Sequence, residues 1–163
     1  MEFFEHSGLY SLHTEQLLPI TLEEAWHFFS TPQNLQKLTP DDLDFKITSP
    51  KLNGIYQGQM ITYNIKIFPI FPSKWVTEIT SLEDRKYFID EQRFGPYKLW
   101  HHQHHFEEVE GGVKMTDIIH FKLPFALLAP IAYKVFVKNK LRQIFTFRQE
   151  VLDDLIAKNA LIK

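Results

Sequence analysis

The chain has 163 residues, a length that suits one domain, and its 44% hydrophobic and 23% charged residues are the proportions of an ordinary globular protein. A formal net charge of −2 supplies no basic field to recruit nucleic acid, and the absence of cysteine excludes disulfides, thiol nucleophiles and cysteine-ligated zinc. Fifteen Phe, six Tyr and three Trp form a large aromatic stock that must line a core or a cavity.

The opening stretch MEFFEHSGLYSLHTEQ is acidic and has no signal-peptide apolar region, which with the missing cysteines points to the cytoplasm. The longest apolar run, FALLAPIAY (125–133), contains Pro130 and is far shorter than the roughly 20 residues that span a bilayer, so no transmembrane segment is expected.

Residues 9–18 alternate as a strand, with Tyr10, Leu12, Thr14 and Gln16 on one side, and Pro19 ends it. Thr21 and Glu24 form a capping box that opens a short helix, LEEAWHFFS. Thr31 as N-cap and Pro32 in the first turn predict a second, PQNLQKL. Strands follow near 43–49, 59–67, 73–82, 85–93, 97–109 and 112–122. The later ones are separated by the turn signals Glu83-Asp84, Phe94-Gly95-Pro96 and Glu110-Gly111-Gly112, which make an antiparallel meander. From Pro130 onward, Ile131, Val135, Phe136, Ile144, Phe145, Val151, Leu152 and Leu155 recur at helical spacing. Lys138, Lys140, Arg142 and Arg148 fall between them as the solvated side of one long amphipathic helix, 130–157. A sheet packed on that helix would bury the apolar face of each, an α+β arrangement.

FGPYKLWHHQHHF (94–106) carries four histidines within five positions. Strand alternation divides them. His101 and His105 share one face with Tyr97, Leu99 and Gln103; they lie about 13 Å apart and cannot share a metal. His102 and His104 share the other with Trp100 and Phe106. In the flanking strands, Glu91, Arg93, Lys114 and Lys122 mark the solvated face, because isolated long charges are seldom buried. The inner face is then Phe88, Asp90, Gln92, Trp100, His102, His104, Phe106, Met115, Asp117, Ile119 and Phe121, joined by Trp75, Thr77, Ile79 and a nearby Tyr63. The tight turn at 110–112 brings His104 opposite or diagonal to Asp117, and the Gly95-Pro96 turn brings Asp90 near the Trp100–His102 stretch. Cross-strand neighbours are about 5 Å apart at Cβ, so His–Asp pairs are expected on the concave face.

His102 and His104, about 7 Å apart at Cα, could take a metal with Asp117 or Asp90. No spacing matches a compact zinc motif, and a carboxylate also orients an imidazole without any metal, so neither metal nor cofactor is expected. So many polar groups on one face exceed what a packed core needs and fit a pocket with a few convergent polar groups.

The element order, and the wording of LPITLEEAWHFFSTPQNLQKLTP (18–40), PSKWVTEIT (72–80), FIDEQRFGPYKLWHHQHHF (88–106), MTDIIHFKLPF (115–125) and LRQIFTFRQ (141–149), resemble the helix-grip fold of the START and Bet v 1-like superfamily, SRPBCC, and a bacterial ligand-binding group within it. Ala129-Pro130 departs from the glycine-containing turn of that pattern. The resemblance implies a hydrophobic cavity between a curved antiparallel sheet and the long C-terminal helix, open to a small lipid-like or aromatic ligand. Trp75, Phe88, Trp100, Phe106, Met115, Ile119, Phe121, Ile131 and Val135 would line it. Asp90, Gln92, His102, His104 and Asp117 would recognise a hydroxyl or carbonyl. The competing expectations are a cyclase- or hydrolase-type enzyme using His104 and Asp117, and a regulatory protein-interaction module with a vestigial cavity. Leu123 to Ala129 should pack over the sheet end, with a lip at the pocket mouth or a membrane contact as the other readings.

Overall fold

The computed structural model describes residues 1–50, 53–68, 71–125 and 127–161. Eight strands form one antiparallel sheet. They are β1 (Glu2–His6), β2 (Leu9–Leu18), β3 (Lys46–Ile47), β4 (Met60–Phe68), β5 (Phe71–Glu83), β6 (Tyr87–Phe94), β7 (Leu99–Val109) and β8 (Gly112–Lys122), in the order β1-β2-β8-β7-β6-β5-β4-β3. Register shifts in the β5–β6 pairing, at Val76/Thr77 and Ile79/Ser81, add bulges to the middle of the sheet, and bulges bend strands. The curved sheet wraps a helical segment made of α2 (Ala129–Ala132), a π turn (Tyr133–Val137) and α3 (Lys138–Ala157).

Helix α1 (Leu22–Phe29) begins as its sequence predicts. The Thr21 hydroxyl accepts from the Glu24 amide at 3.2 Å, and the Glu24 carboxylate accepts from the Thr21 amide at 2.9 Å. The helix buries Ala25, Trp26 and Phe28 under the sheet. Thr21→Ala should lower the unfolding free energy in urea by about 1 kcal/mol. A change within error would mean that Trp26 and Phe28 hold α1 without its cap.

Four sequence expectations are corrected. Pro32–Gln36 is a 3-10 turn, and Thr31 does not cap it: its hydroxyl donates instead to the His27 carbonyl at 2.7 Å, tying the turn back to α1. The strand expected over 43–49 is reduced to Lys46–Ile47, because Asp41–Leu43 is a second 3-10 turn closed by Asp44 in the left-handed region. β1 was not foreseen; Ser7 and Gly8, both at positive φ, make the two-residue hairpin that returns it onto β2. The C-terminal helix is not continuous from Pro130. Tyr133, Val137, Leu141 and Phe145 are the buried residues along its first half. Each +4 step over-rotates an α-helix by about 40°, and the wider π turn absorbs part of that drift. The buried stripe therefore runs through Tyr133 and Val137 and leaves Ile131 and Val135 in solvent.

Turn chemistry fixes the register at the centre of the sheet. Glu110-Gly111 joins β7 to β8, and Gly112 lies at φ 142°, where an added Cβ would come within 2.1 Å of the Leu18 carbonyl oxygen. With that turn set, His104 pairs with Asp117, and on the other side Asp90 pairs with His102. Across the sheet, Gln149 of α3 donates to the Thr14 hydroxyl at 3.1 Å, while Gln16 donates to the Gln149 carbonyl at 3.2 Å and to Asp153 at 2.9 Å. These bonds hold the helix across β2.

Candidate functional site

A cavity of about 170 Å³ lies between the sheet and α3. Its apolar wall has three sources. Trp75, Phe88, Tyr97 and Trp100 come from the sheet and its β6–β7 turn; Phe29, Leu35, Leu43 and Phe45 come from the segment between β2 and β3; Leu141, Ile144 and Phe145 come from α3. The aromatic side is packed edge to face, with Trp75 and Trp100 centroids 5.4 Å apart at 87° and Tyr97 touching both. Tyr63 and Thr77 share a buried hydroxyl contact at 3.0 Å on the same wall. Burial, and then the Asp90 charge, raise the Tyr63 phenol well above its ordinary pKa, so it stays neutral.

The polar side is a four-residue ring on adjacent strands. His102 Nε2 lies 2.8 Å from Asp117 Oδ1, and its Nδ1 is 3.5 Å from Asp90 Oδ2. His104 Nε2 lies 2.9 Å from Asp90 Oδ2. His104 Nδ1 is 2.9 Å from Asp117 Oδ1 but is not aimed along a hydrogen bond. Each imidazole thus touches both carboxylates. Phe88 stacks on His104 at 4.1 Å, and Phe145 of α3 meets His102 edge-on at 6.0 Å.

Burial acts on every member of the ring. It lowers His102, and the neighbouring His104 charge lowers it further, to about 4 despite the hydrogen bond to Asp117. For His104 burial also pulls downward, but the contacts to Asp117 and Asp90 outweigh it and raise the group above its ordinary value. Burial pushes both carboxylates up; the imidazole hydrogen bonds and charges overcome it and hold both below the usual range. Of the two imidazoles His104 is therefore the one that takes a proton first, and in that state the ring holds one neutral imidazole, one imidazolium and two carboxylates.

Arg148 supplies the remaining charge. It is buried on α3, its Nη1 is 3.8 Å from Asp117 Oδ1, and its guanidinium lies over the Phe145 ring at 4.8 Å. With His104 protonated, two carboxylates face two cations, and the site is balanced without a further ion. Arg148 was expected on the solvated side of the helix. Its spacing from Leu141 and Phe145 (+7, +3) places it on the buried stripe, a signal that its charge had overruled.

The other expected site residues fall into distinct places. Trp75, Phe88, Asp90, Trp100, His102 and His104 line the cavity. Asp117 and Met115 border a small recess behind it with Arg148 and Gln149. Gln92 does not reach the cavity: its amide donates to the Tyr97 carbonyl at 2.7 Å and accepts from the Tyr97 amide at 3.1 Å, and it fills the space an added Cβ at Gly95 would take. Phe106 is packed against Trp26 and Phe29 under α1. Neither Ile119 nor Phe121 lines the cavity: Ile119 is fully buried, and Phe121 packs against Tyr10 and Tyr133 and supports the wall residues Tyr97 and Trp100. Ile131 and Val135 are exposed, for the reason given by the π turn. On the outer face, His101 and His105 are half-buried rather than free: Glu91, His101, Gln103 and His105 form a line of hydrogen bonds at 2.6, 3.2 and 3.0 Å.

Asp90, His102 and His104 each present a ligand atom within 4.8 Å of the others, a spacing that a cation could share. Their nitrogens are already directed at carboxylates, and the Arg148 guanidinium stands beside them, which suits a hydrogen-bond network better than a metal centre. The same engagement bears on acid–base chemistry. A general base needs a lone pair within reach of substrate; within the ring each imidazole is hydrogen-bonded through Nε2, and each Nδ1 lies beside a carboxylate, His102 Nδ1 at 3.5 Å from Asp90 and His104 Nδ1 at 2.9 Å from Asp117.

Among the described residues no helix is long and apolar enough to cross a membrane. No family model matches the chain, and no curated protein does. Solved structures match it closely in shape. Protein Ms6760 of Mycobacterium smegmatis superposes with a TM-score of 0.66 at 13% identity, covering 98% of each chain. TTHA0849 of Thermus thermophilus gives 0.65 at 11%, covering 92% of this chain and 99% of that one. Ara h 8.0201, a Bet v 1 allergen, gives 0.57 at 11%, covering 90% and 99%. With the sheet order and the gripped helix described above, these likenesses show that the chain has the Bet v 1-like helix-grip fold.

Proposed function

We propose that the protein binds a small, uncharged, largely apolar molecule that carries one hydrogen-bond acceptor. The observation that carries this reading is the pairing of an aromatic cavity with two buried donors, Trp75 Nε1 and Arg148 Nε, that have no acceptor among the described residues. A buried donor without a partner costs about 1–3 kcal/mol, which a ligand carbonyl or hydroxyl would recover. The charge-balanced ring favours a neutral ligand over an acid. Size narrows the class further: about 150 Å³ is the scale of a cavity that accepts a single benzene ring, so a substituted aromatic ring fits better than a long acyl chain. Binding is favoured over catalysis here because both nitrogens of each imidazole lie within 3.5 Å of a carboxylate oxygen, which competes with a substrate for them.

The test uses the indole fluorescence of Trp75 and Trp100, which line the cavity. Acetophenone should perturb it saturably, toluene more weakly, and benzoate at least about tenfold more weakly than acetophenone (about 1.4 kcal/mol), because its carboxylate would be buried without a compensating cation. Ile144→Phe, which fills the cavity from α3, should keep the circular dichroism spectrum and abolish the response. Absence of saturable binding by every member of the panel would sink the reading.

A further inference from the structure

The segment between β8 and the π turn presents an apolar ledge with nothing among the described residues folded over it. Phe125 is 79% exposed, Leu127 94%, Leu128 63%, Ile131 63% and Val135 73%. Isolated exposed apolar residues are ordinary, but five within eleven positions form a patch. The expectation that Leu123 to Ala129 packs over the sheet end holds for Leu123, which is buried, and for Ala129, which packs against the core, and fails for Phe125, Leu127 and Leu128.

The ledge is built rather than frayed. The Leu128 and Ala129 amides donate to the Phe125 carbonyl at 2.8 and 3.1 Å, and the Ala132 amide donates to the Leu128 carbonyl at 2.9 Å. Phe125 itself sits at φ 57°, a conformation a bulky side chain seldom adopts, and it points its ring at solvent. None of these residues lines the cavity, so ligand binding does not account for them.

Charge identifies the occupant. Residues 121–149 contain six Lys or Arg and no Asp or Glu, while the rest of the chain has twelve Lys or Arg against twenty Asp or Glu, a balance of −8. Of these six, Arg148 is buried facing Asp117 and Lys140 pairs with Asp42, which leaves Lys122, Lys134, Lys138 and Arg142 as the cations along the segment that carries the exposed apolar residues. Lys134 stands on the ledge in solvent between Ile131 and Val135, and Lys122 precedes it at the end of β8. Apolar side chains rimmed by cations are the pattern of a surface that inserts shallowly among anionic lipid head groups, and no described helix is suited to cross the bilayer. We propose that the Phe125–Val135 ledge docks the protein peripherally on an anionic membrane surface.

Co-sedimentation with phosphatidylglycerol-containing vesicles tests this directly. The full chain should pellet with them, about tenfold less with pure phosphatidylcholine vesicles, and progressively less as salt is raised. Phe125→Ser with Leu127→Ser should reduce binding about tenfold or more, and Lys134→Glu should reduce it and flatten its salt dependence. Because these side chains are exposed, the variants should keep the wild-type melting temperature, which separates lost docking from lost folding. Failure of the wild type to pellet with anionic vesicles overturns the proposal. So does a wild-type dimer, seen by light scattering, that the same double substitution dissociates, since the ledge would then be a contact between two copies.

Discussion

Asp117→Ala should destabilise the protein by about 3–5 kcal/mol, the range expected when one member of a buried ion-paired group is removed. Asp117 Oδ1 is the point on which the site converges, at 2.8 Å from His102, 2.9 Å from His104 and 3.8 Å from Arg148. Without it, His104 and Arg148 remain as two buried cations with only Asp90 opposite. The chain can respond by releasing the His104 proton, which shifts that pKa down, or by letting water in beside β8. Either response is costly, and both act on the strand pair that anchors α3. Chemical denaturation of the single variant gives the size of the loss. Arg148→Met combined with Asp117→Asn then separates charge from packing. Removing one charge of each sign while keeping volume should recover at least about 1 kcal/mol relative to the sum of the two single changes. Strict additivity would show that Arg148 and Asp117 do not interact, and the charge balance argued for the cavity would fail with it.

That ring was legible before any coordinates, and the reason is geometric. Strand side chains alternate with a fixed period of two, so once Glu91 and Lys114 marked the outer face, His102, His104, Asp90 and Asp117 had to point inward together. Short hairpins then left little freedom in register: the Gly111-Gly112 turn put His104 opposite or diagonal to Asp117, and the structure pairs them directly while the hydrogen bonds run on the diagonals, His102 to Asp117 and His104 to Asp90. Helical phase was harder to read. A π turn alters the period within a single helix, and Tyr133 and Val137, the true buried pair, are two positions away from the Ile131 and Val135 chosen by an unbroken 3.6 repeat. Ser7-Gly8 is a hairpin signal, but the acidic, phenylalanine-rich strand before it lacks clear alternation and is mostly exposed, so β1 left little trace. Arg148 was hidden for the opposite reason. Charge usually means solvent, and only the presence of Asp117 and Phe145 across the gap makes a buried guanidinium affordable. The cavity wall from Leu35, Leu43 and Phe45 escaped notice because it depends on how the 3-10 turns lie against the sheet, a long-range arrangement that no local pattern encodes.

Acid should unfold the protein in two stages, and His102 should set the first. Burial and the adjacent His104 charge bring its folded-state pKa to about 4, against about 6.5 in the unfolded chain. Between those values the unfolded chain takes up a proton that the folded protein refuses. The stabilisation from a neutral His102 is therefore complete above about pH 6.5 and is lost as pH falls toward 4. A difference of about 2.5 in pKa corresponds to about 3 kcal/mol. The carboxylates act lower down: Asp90 and Asp117 are depressed below their ordinary value, so their contribution persists until pH drops beneath about 4 and is lost from there. His104 works in the other direction. Its pKa is raised, so its stabilisation is complete below about 6.5 and declines as pH rises through its folded value. His105 and His120 are also lowered, but both are more exposed than His102 and contribute a smaller share of the acid slope. His102→Gln distinguishes these contributions, since the amide can still donate to Asp117 but does not titrate. Because His104 gains stabilisation over the same fall in pH, the readout is the difference between the two proteins: urea unfolding at intervals from pH 7 to 4 should show the wild type losing about 3 kcal/mol more than the variant. Equal slopes in the two proteins would mean that His102 is protonated in the folded state, and the balance of two carboxylates against one imidazolium and one guanidinium would have to be abandoned.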